Sequence, residues 1–188
     1  FEKEHDAVWD DKERIIKEHN LVIWRFHDHW HMHRADGILT EVVRAPQWQA
    51  FQNSADPNLF VMPEITLAVI AEPLQQRLGI NVVRVVGDPG MKVTRVALAP
   101  GASGPDRHRE LFHRDNPEVL AIGEVPEWET IEYVADAASE GKHRALILLG
   151  HIPSEQAGME YCTEWLKAFI SEVPVEFVPT REPFWLAK

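Results

Sequence analysis

The sequence predicts a layered α/β/α domain built on a mixed, largely parallel sheet. The second half of the chain alternates short apolar runs with amphipathic stretches, joined by short connections, which is typical of parallel crossover units. The chain has 188 residues, of which 45% are hydrophobic, so it can bury a core. No repeat or low-complexity segment competes with this interpretation. We therefore expect one domain over residues 1–188, with two lobes at about 1–100 and 101–188.

Apolar periodicity and turn residues predict the elements of the first half. Residues 21–26 form an apolar run of the kind that makes a buried strand. In the later apolar stretch, Pro73 must either start a second helix or bend the helix that contains it. In chain order we predict a helix over 7–19 capped by Asp6 and closed by Asn20, a strand over Leu21–Phe26, a helix over Ile38–Val43 after the Asp36-Gly37 turn and ending at Ala45-Pro46, a loop over 46–58, a short strand over Leu59–Met62, and a helix over Ile65–Leu78.

The second half supplies most of the predicted sheet. Gly87-Asp88-Pro89-Gly90 between two β-branched runs gives the clearest hairpin signal in the chain. In chain order we predict strands over Asn81–Val86 and Lys92–Leu98, a helix over 105–115, a strand over Val119–Ile122, a helix with Trp128, Ile131, Ala135 and Ala138 on one stripe, a strand over Arg144–Leu149, a helix over Ser154–Glu172 with Met159, Cys162, Leu166 and Phe169 facing inward, and a final strand over Val175–Val178.

Charge and composition exclude several classes of function. A formal net charge of −11 opposes contact with a phosphate backbone, so we expect no nucleic-acid partner. No apolar stretch reaches the length of a membrane span, which is about 18 residues. The single Cys162 excludes an intrachain disulfide and fits a reducing cytoplasm, where we expect the protein to act. The chain starts at Phe1 without an initiator Met or a signal peptide.

Four histidines stand at alternate positions directly after the first predicted strand: His27, His29, His31 and His33. If the strand geometry continues, all four project from one face; if the chain turns helical, His27 and His31 still share a face at a spacing of i, i+4. Clustered imidazoles beside a carboxylate, here Asp28, suit transition metals such as Zn, Fe, Mn or Cu. The stretch is therefore a candidate metal site.

A second candidate group follows the strand that ends at Leu149. His151 lies at the turn and Glu155 four residues later, in the first turn of a helix, so an imidazole and a carboxylate can reach one point. The alternative is that Glu155 stabilises the helix N-terminus and Ser154 caps the helix. The presence of another histidine cluster at a strand end favours the metal interpretation, because ligand sites in such sheets lie beyond the carboxyl ends of strands.

Other polar residues have weaker functional interpretations. Glu124 follows a predicted strand end and is a candidate general acid/base, or else it caps the next helix. The Gly101–Gly104 turn, followed by Arg107 and Arg109, could bind an anionic group at a helix N-terminus, although such a turn is more often a tight connection. We expect the remaining candidates to be structural or solvated: Trp128 and Trp165 as core or interface anchors, Cys162 as a packed thiol, and His108, His113 and His143 as solvated side chains.

Several segments together resemble the NIF-three-like family of dinuclear-metal proteins, the GTP cyclohydrolase I type 2 homologs. The similarity runs through Leu-Val-Ile-Trp-Arg-Phe-His-Asp-His-Trp-His31, Ala-Ile-Gly-Glu124, Asp136-Ala137 and Gly-His-Ile-Pro-Ser-Glu155. The resemblance implies that His151 and Glu155 are metal ligands. It also aligns His31 with a ligand Asp of the family's His-Thr-Asn-Leu-Asp motif and places His27 near the metals.

The sequence departs from that family in two ways. The family's upstream His-His-Pro or His-Glu-Pro motif is absent, and Phe1 aligns just downstream of it, so we expect a native N-terminal segment beyond the given sequence. Without such a segment, a single ion would replace two. The exchange of Asp for His31 removes a negative charge and favours a nitrogen-binding divalent ion, for which we expect two ions of Zn, Fe, Ni or Mn.

Two functional hypotheses follow from the site and the resemblance. The first is a dinuclear-metal-dependent hydrolase that acts on a small, nucleotide-like substrate, with His27, His31, His151 and Glu155 as ligands and Glu124 as the catalytic carboxylate. The second is a metal-binding protein without turnover that stores, inserts or senses metal. The resemblance also implies a homo-oligomer, such as a ring of dimers, for which the apolar C-terminal end would suit as a contact.

Overall fold

A computed structural model describes residues 6–187 of the chain. Phe1, on which the expected N-terminal extension was aligned, lies outside the described residues. The described part contains seven α-helices, a 3-10 turn at Gln49–Phe51 and a π-helical turn at Glu127–Ile131 that runs into the sixth helix. The helices are α1 (Ala7–Glu18), α2 (His27–Met32), α3 (Gly37–Arg44), α4 (Leu67–Arg77), α5 (Pro105–Arg114), α6 (Glu132–Ser139) and α7 (His151–Lys167).

Five strands form one mixed sheet in the order β1-β3-β4-β5-β2. The three central strands are parallel, and the two edge strands run antiparallel to their neighbours. This arrangement confirms the predicted mixed α/β fold with a largely parallel centre. The strands are β1 (Leu59–Thr66), β2 (Arg84–Val86), β3 (Lys92–Ala99), β4 (Val119–Ile122) and β5 (Ala145–Leu148).

The predicted hairpin at Gly87–Gly90 is wrong. Strand β2 pairs with β5 and strand β3 pairs with β1 and β4, so the two runs lie in one sheet but are not neighbours. The turn residues do reverse the chain, as Asp88 accepts a hydrogen bond from the Gly90 N–H at 2.8 Å. A local turn signal therefore indicates where the chain bends but not which strands pair afterwards.

Helices cover both faces of the sheet. On one face, α3 and α4 pack with alternate residues of the central strands, among them Val96, Val119 and Ile147. On the other face, α5 and α6 pack with the intervening residues, among them Leu120 and Leu146. Because successive side chains of a strand point to opposite faces, these fully buried strands read as continuous apolar runs.

The apolar run Leu21–Phe26 is not a buried strand. It is a connection between α1 and α2 without regular secondary structure, and it pairs with no strand in the part of the chain that the structure describes. Its side chains are largely exposed, with Val22 at 94% and Trp24 at 72%. An apolar, β-branched composition favours a strand only where a neighbouring strand and a partner surface are available, and the run itself does not encode them.

Three smaller predictions at the C-terminal side also fail. Residues 175–178 form no strand, and Phe169 lies beyond α7 with 58% exposure. The stripe on the sixth helix is displaced: Trp128 is 78% exposed, while Thr130, Val134 and Ala137 are buried. The π-helical turn at Glu127–Ile131 explains the displacement, because its i→i+5 hydrogen bonding breaks the 3.6-residue period.

None of the helices among residues 6–187 is both long enough and apolar enough to cross a membrane.

Candidate metal centre

The candidate site lies at the carboxyl ends of β4 and β5, where the sheet gives way to two turns. Strand β4 leads into Gly123-Glu124 and strand β5 leads into Gly150-His151, and these turns are hydrogen-bonded through the Gly150 N–H to the Gly123 carbonyl at 2.9 Å. Helix α7 begins at once, so His151 and Glu155 stand on its first turn. The topology therefore brings Glu124, His151 and Glu155 to one edge.

Helix α2 brings His27 and His31 to the same edge because Trp30 anchors it. Trp30 is completely buried and its indole N–H donates to the Gly158 carbonyl of α7 at 2.8 Å. A Cβ at Gly37 would lie 2.1 Å from the Trp30 ring, so only glycine admits this packing. Because Trp30 packs on α7, His27 and His31 on the neighbouring face of α2 point at the start of α7. The helical alternative for this stretch is thus the correct one.

Three imidazoles converge on one carboxylate. The Nε2 atoms of His27 and His151 lie 2.9 and 3.3 Å from Glu155 Oε2. The Nε2 atom of His31 lies 3.5 Å from Glu155 Oε1. Residues from two helices more than a hundred positions apart in the chain therefore share Glu155 as their common partner.

The opposite ring nitrogen of each histidine faces a different carboxylate. His27 Nδ1 lies 3.2 Å from Asp28 Oδ1, His31 Nδ1 lies 3.0 Å from Asp36 Oδ2, and His151 Nδ1 lies 3.2 Å from Glu124 Oε2. A carboxylate on Nδ1 fixes the proton there and leaves the Nε2 lone pair available to a cation. All three Nε2 atoms face inward, so the arrangement is that of metal-ligating histidines with their outer carboxylates.

Glu155 sits in a tight recess. Its side chain is 11% exposed, and a Cβ at Gly101 would lie 1.8 Å from its Oε1 atom. The Gly101 N–H in turn donates to Ser154 Oγ at 3.0 Å, which holds the Gly101–Gly104 turn against the start of α7. Glycine at position 101 is required both by this close approach and by a φ of +67°.

The carboxylates shift the proton equilibria of the site. The hydrogen bond to Asp36, then that to Glu155, raises the pKa of His31 to about 9. Burial acts to raise the pKa of Glu155, but the hydrogen bonds from His31 and His27 outweigh it and hold that pKa below its usual value. The hydrogen bond from His27, then the charge of Arg25, lowers the pKa of Asp28. The site therefore favours positive charge beside an ionised Glu155.

The donor atoms fit a divalent transition ion. His27, His31 and Glu155 each offer one ligand atom, and these atoms all lie within 4.8 Å of one another. Two ligands each at about 2.1 Å from an ion are separated by about 3–3.4 Å, which is close to the His–Glu155 distances of 2.9, 3.3 and 3.5 Å. His151 Nε2 also lies 3.3 Å from Glu155 Oε2, and its Nδ1 atom faces Glu124. Imidazole and carboxylate donors suit Zn, Fe, Ni or Mn.

The other histidines lie outside this cluster. His29 stacks on Phe26 with ring centroids 5.8 Å apart, and His33 Nδ1 faces the Ala35 carbonyl at 3.1 Å. His113 and His143 are exposed, as expected. The prediction that His108 is solvated is wrong: it is 1% exposed, and its ring nitrogens face the hydroxyls of Ser103 at 3.0 Å and Thr130 at 2.9 Å.

The sequence interpretation missed Asp36, whereas the Gly101–Gly104 turn is the tight connection that was favoured over an anion site. Asp36 was considered only as part of a turn. An Asp that lies five residues after a histidine and directly before a helix can contact the imidazole and also cap the helix. The turn packs under Glu155, while Arg107 pairs with Glu110 at 2.8 Å and Arg109 pairs with Asp106. Both guanidinium groups are thus engaged on their own helix.

A cavity of about 730 Å³ adjoins the cluster. Glu124 and His151 of the candidate cluster line it, together with the polar side chains of Asn81, Arg84 and Glu182. Its volume falls within the range of small-molecule sites, which is about 300–1,000 Å³. Apolar side chains form most of the remainder, including Val82, Val125, Leu148, Ile152, Pro183 and Phe184.

Comparison with solved structures yields several distant relatives. A Bacillus cereus protein related to NIF3 is 22% identical, with a TM-score of 0.53 over 69% of this chain and 35% of that one. Protein ybgI, of unknown function, is 19% identical, with a TM-score of 0.58 over 78% of this chain and 57% of that one. Reduced HcgD from Methanocaldococcus jannaschii is 13% identical, with a TM-score of 0.60 over 90% of this chain and 66% of that one.

The structural similarity shows a shared fold, and at these identities it shows the fold alone. This chain spans between about a third and two thirds of the length of those proteins. No curated protein matches the chain. The sequence itself matches the family Duf34/NIF3 (NGG1p interacting factor 3) over residues 17–183, which includes every residue of the candidate centre. The chain belongs to the Duf34/NIF3 family.

Proposed function

We propose that this protein is a metal-dependent hydrolase, a homolog of GTP cyclohydrolase I type 2 proteins, acting on a small molecule of the nucleotide-like class. The ligands in this proposal are His27, His31, His151 and Glu155. The observation that carries it is the convergence of three Nε2 atoms on Glu155, each with a carboxylate behind its Nδ1 atom. Such pairs are the usual support of catalytic metal sites.

The division of donors favours two ions over one. His27 and His31 form a compact group with Glu155, whereas His151 approaches Glu155 from the side of Glu124. A carboxylate whose two oxygens face different imidazoles, here Oε2 with His27 and His151 and Oε1 with His31, suits a bridging ligand. When bound, a pair of divalent ions lowers the pKa of water and stabilises the negative charge that develops during hydrolysis.

Glu124 is the proposed general acid/base of the reaction. Its side chain is 58% exposed and lies on the cavity wall, and its Oε2 atom lies 3.2 Å from His151 Nδ1. The second carboxylate oxygen of Glu124 remains available to a substrate in the cavity. Glu124 can donate a proton to the substrate or accept one from it through this oxygen. The same carboxylate also fixes the orientation of His151, so its removal affects both the proton transfer and the ligand.

The cavity sets limits on the substrate. Its apolar side chains suit a planar or aromatic body, and its charged and titratable lining residues are Arg84, Glu124, His151 and Glu182. Arg84 is engaged with Glu127 at 2.6 Å, but both side chains are more than 60% exposed, so an anionic substrate group can compete for the guanidinium. A base with an anionic tail meets these requirements.

Turnover of a defined panel tests the proposal. Phosphate esters, cyclic amidines and nucleotides are each incubated with protein loaded with Zn, Fe, Ni or Mn. We expect hydrolysis of at least one class, loss of activity with a chelator, and recovery with added metal. Glu124→Gln should reduce kcat by about 10²–10⁴-fold if Glu124 transfers a proton. Activity that survives both the chelator and this substitution would contradict the assignment.

The second candidate is a metal-handling protein without turnover. The side chains of His27, His31 and His151 are 35%, 28% and 41% exposed, so another molecule can reach them directly. A site that donates metal needs such access, whereas a structural site is usually closed. Rapid transfer of bound metal to a competing chelator, without any hydrolysis in the panel, would favour this candidate over the hydrolase.

We also propose a homo-oligomer, with a ring of dimers as the form to test, acting in the cytoplasm. Exposed apolar side chains support an assembly contact, among them Ile23 at 70%, Phe184 at 78% and Trp185 at 81%. Light scattering of the purified protein measures the subunit number. A monomer at micromolar concentration would contradict the assembly proposal without affecting the metal centre.

A further inference from the structure

Asp36 performs two tasks with its two carboxylate oxygens. Its Oδ1 atom accepts hydrogen bonds from the backbone N–H groups of Ile38 at 2.8 Å and Leu39 at 3.1 Å, which caps the N-terminus of α3. Its Oδ2 atom lies 3.0 Å from His31 Nδ1. The same side chain therefore joins the end of a core helix to a histidine of the candidate metal centre.

The other two outer carboxylates have no such double task. Asp28 is 57% exposed and its second oxygen accepts from Arg25, which is itself 81% exposed. Glu124 is 58% exposed and contacts only His151 among the bonds that the structure gives its side chain. The side chain of Asp36 is 30% exposed, and the helix that it caps has five buried residues. Among these three carboxylates, Asp36 alone both contacts a proposed ligand and caps a helix of the core.

Helix α3 is rigidly connected to the helix that carries Glu155. A Cβ at Gly158 of α7 would lie 2.5 Å from Ile38 Cα, so the two backbones are in direct contact. Ile38 is completely buried and packs with Trp30 and Cys162. A rearrangement at the start of α3 would therefore displace parts of α2 and α7, the two helices that carry the proposed ligands.

We infer that Asp36 is a positioning residue that keeps His31 Nε2 free for a cation and couples cation binding to the integrity of α3. The inference rests on the proposed metal centre but not on hydrolysis. With Oδ2 accepting the proton of Nδ1, the lone pair of His31 stays on Nε2, on the side of Glu155. With Oδ1 occupied by the two N–H groups, this orientation of Asp36 cannot change without loss of the cap.

Asp36→Asn separates the two tasks, because asparagine has one acceptor oxygen where aspartate has two. If the amide oxygen caps α3, the amide NH₂ faces His31 Nδ1 and forces the imidazole proton onto Nε2. If the amide turns over, His31 keeps the tautomer that binds metal, but the N–H groups of Ile38 and Leu39 lose their acceptor. The variant therefore cannot cap α3 and keep the metal-binding tautomer of His31 at the same time.

Calorimetric titration with Zn²⁺ measures the first consequence. We expect Asp36→Asn to weaken binding by about 10–100-fold, as is typical for loss of an outer carboxylate. Asp28→Asn is the matched control: its second oxygen contacts only the exposed Arg25, which can turn to water, so the amide oxygen can stay on His27 and binding should weaken by at most about fivefold. Equal affinities for the wild type and Asp36→Asn would overturn the inference.

Amide hydrogen exchange at Ile38 and Leu39 measures the second consequence and is insensitive to catalysis. In the wild type, saturating Zn²⁺ should leave exchange equal or slower. In Asp36→Asn it should become faster on metal addition, by about fivefold for a lost cap. Equally fast exchange with and without metal would indicate a cap alone and contradict the coupling. If wild-type protein binds no Zn²⁺ at all, the proposed metal centre itself is wrong.

Discussion

Two histidines of this chain, His31 and His108, show how partners decide what an imidazole can do. His31 faces two carboxylates, Asp36 and Glu155, and its pKa rises to about 9. His108 is buried between the hydroxyls of Ser103 and Thr130, and burial lowers its pKa to about 4. The same side chain is therefore charged at neutral pH in one place and neutral in the other.

This difference separates a binding site from a structural contact. Carboxylates beside His31 stabilise positive charge, whether it is carried by a proton or by a metal ion, and bound metal must displace that proton. The hydroxyls beside His108 satisfy its hydrogen bonds but supply no charge, so His108 joins the Gly101–Gly104 turn to the π-helical turn without attracting a cation. Each prediction below tests one side of this contrast.

The largest expected effect is acid destabilisation through His108. Its folded pKa of about 4 lies below the unfolded value of 6.5, so the unfolded chain binds more protons between these pH values. Stability attributable to neutral His108 is thus present above about pH 6.5 and lost as the pH falls towards 4. Between pH 7 and pH 4 the free energy of unfolding should fall about 3 kcal/mol more in the wild type than in His108→Gln. Urea unfolding at each pH measures this difference.

Parallel curves for the wild type and His108→Gln would mean that His108 is not held neutral. Both proteins contain the same carboxylates, so acid effects on those groups cancel in the comparison. The variant keeps polar atoms near Ser103 and Thr130, which limits other changes.

A smaller effect of opposite direction is expected for His31 in metal-free protein. Its folded pKa of about 9 lies above 6.5, so its contribution is fully present below pH 6.5 and lost as the pH rises through 9. Allowing for solvent screening at a partly exposed side chain, the loss relative to His31→Gln should be about 1–2 kcal/mol. Unfolding in chelator at pH 6 and pH 9.5 measures it. A wild type that gains stability over this interval relative to the variant would contradict the assigned charge.

The smallest expected effect is that of Ser103→Ala. Ser103 is exposed, so water can replace its hydroxyl at His108 Nε2, and the cost should be about 0.5–1 kcal/mol at pH 7. Metal affinity should be unchanged, since Ser103 contacts none of the proposed ligands. Thermal unfolding and Zn²⁺ titration of the variant check both statements. A loss of metal affinity would show that the two histidine sites are not independent.

The parts of the fold that the sequence predicted are those decided by local patterns. Helix α3 follows Asp36-Gly37 and ends near Pro46, and β4 and β5 are short apolar runs between turn residues. The exposed run Leu21–Phe26 and the false hairpin depended on long-range pairing, which local patterns do not contain. Each fails at the step from an extended segment to its neighbours in space.

The candidate site divides in the same way. His151 and Glu155 share one helical turn, and the spacing of His27 and His31 placed them on one face once α2 proved helical. That these two groups meet depends on Trp30 packing on α7, and the opposite states of His31 and His108 depend on residues brought in from other elements. The sequence therefore indicated the candidate ligands but not the environment that distinguishes the candidate histidines from the others.

Metal analysis of purified variants tests the central claim most directly. Wild type, His151→Ala, Glu155→Ala and Glu155→Gln are compared with Glu164→Ala, a control on α7 whose exposed carboxylate pairs with Lys167. We expect metal in the wild type and in Glu164→Ala, and its loss from the Glu155 variants and largely from His151→Ala, with circular dichroism confirming that each is folded. Equal metal content in all five proteins would contradict the assignment of Glu155 as the shared ligand of this centre.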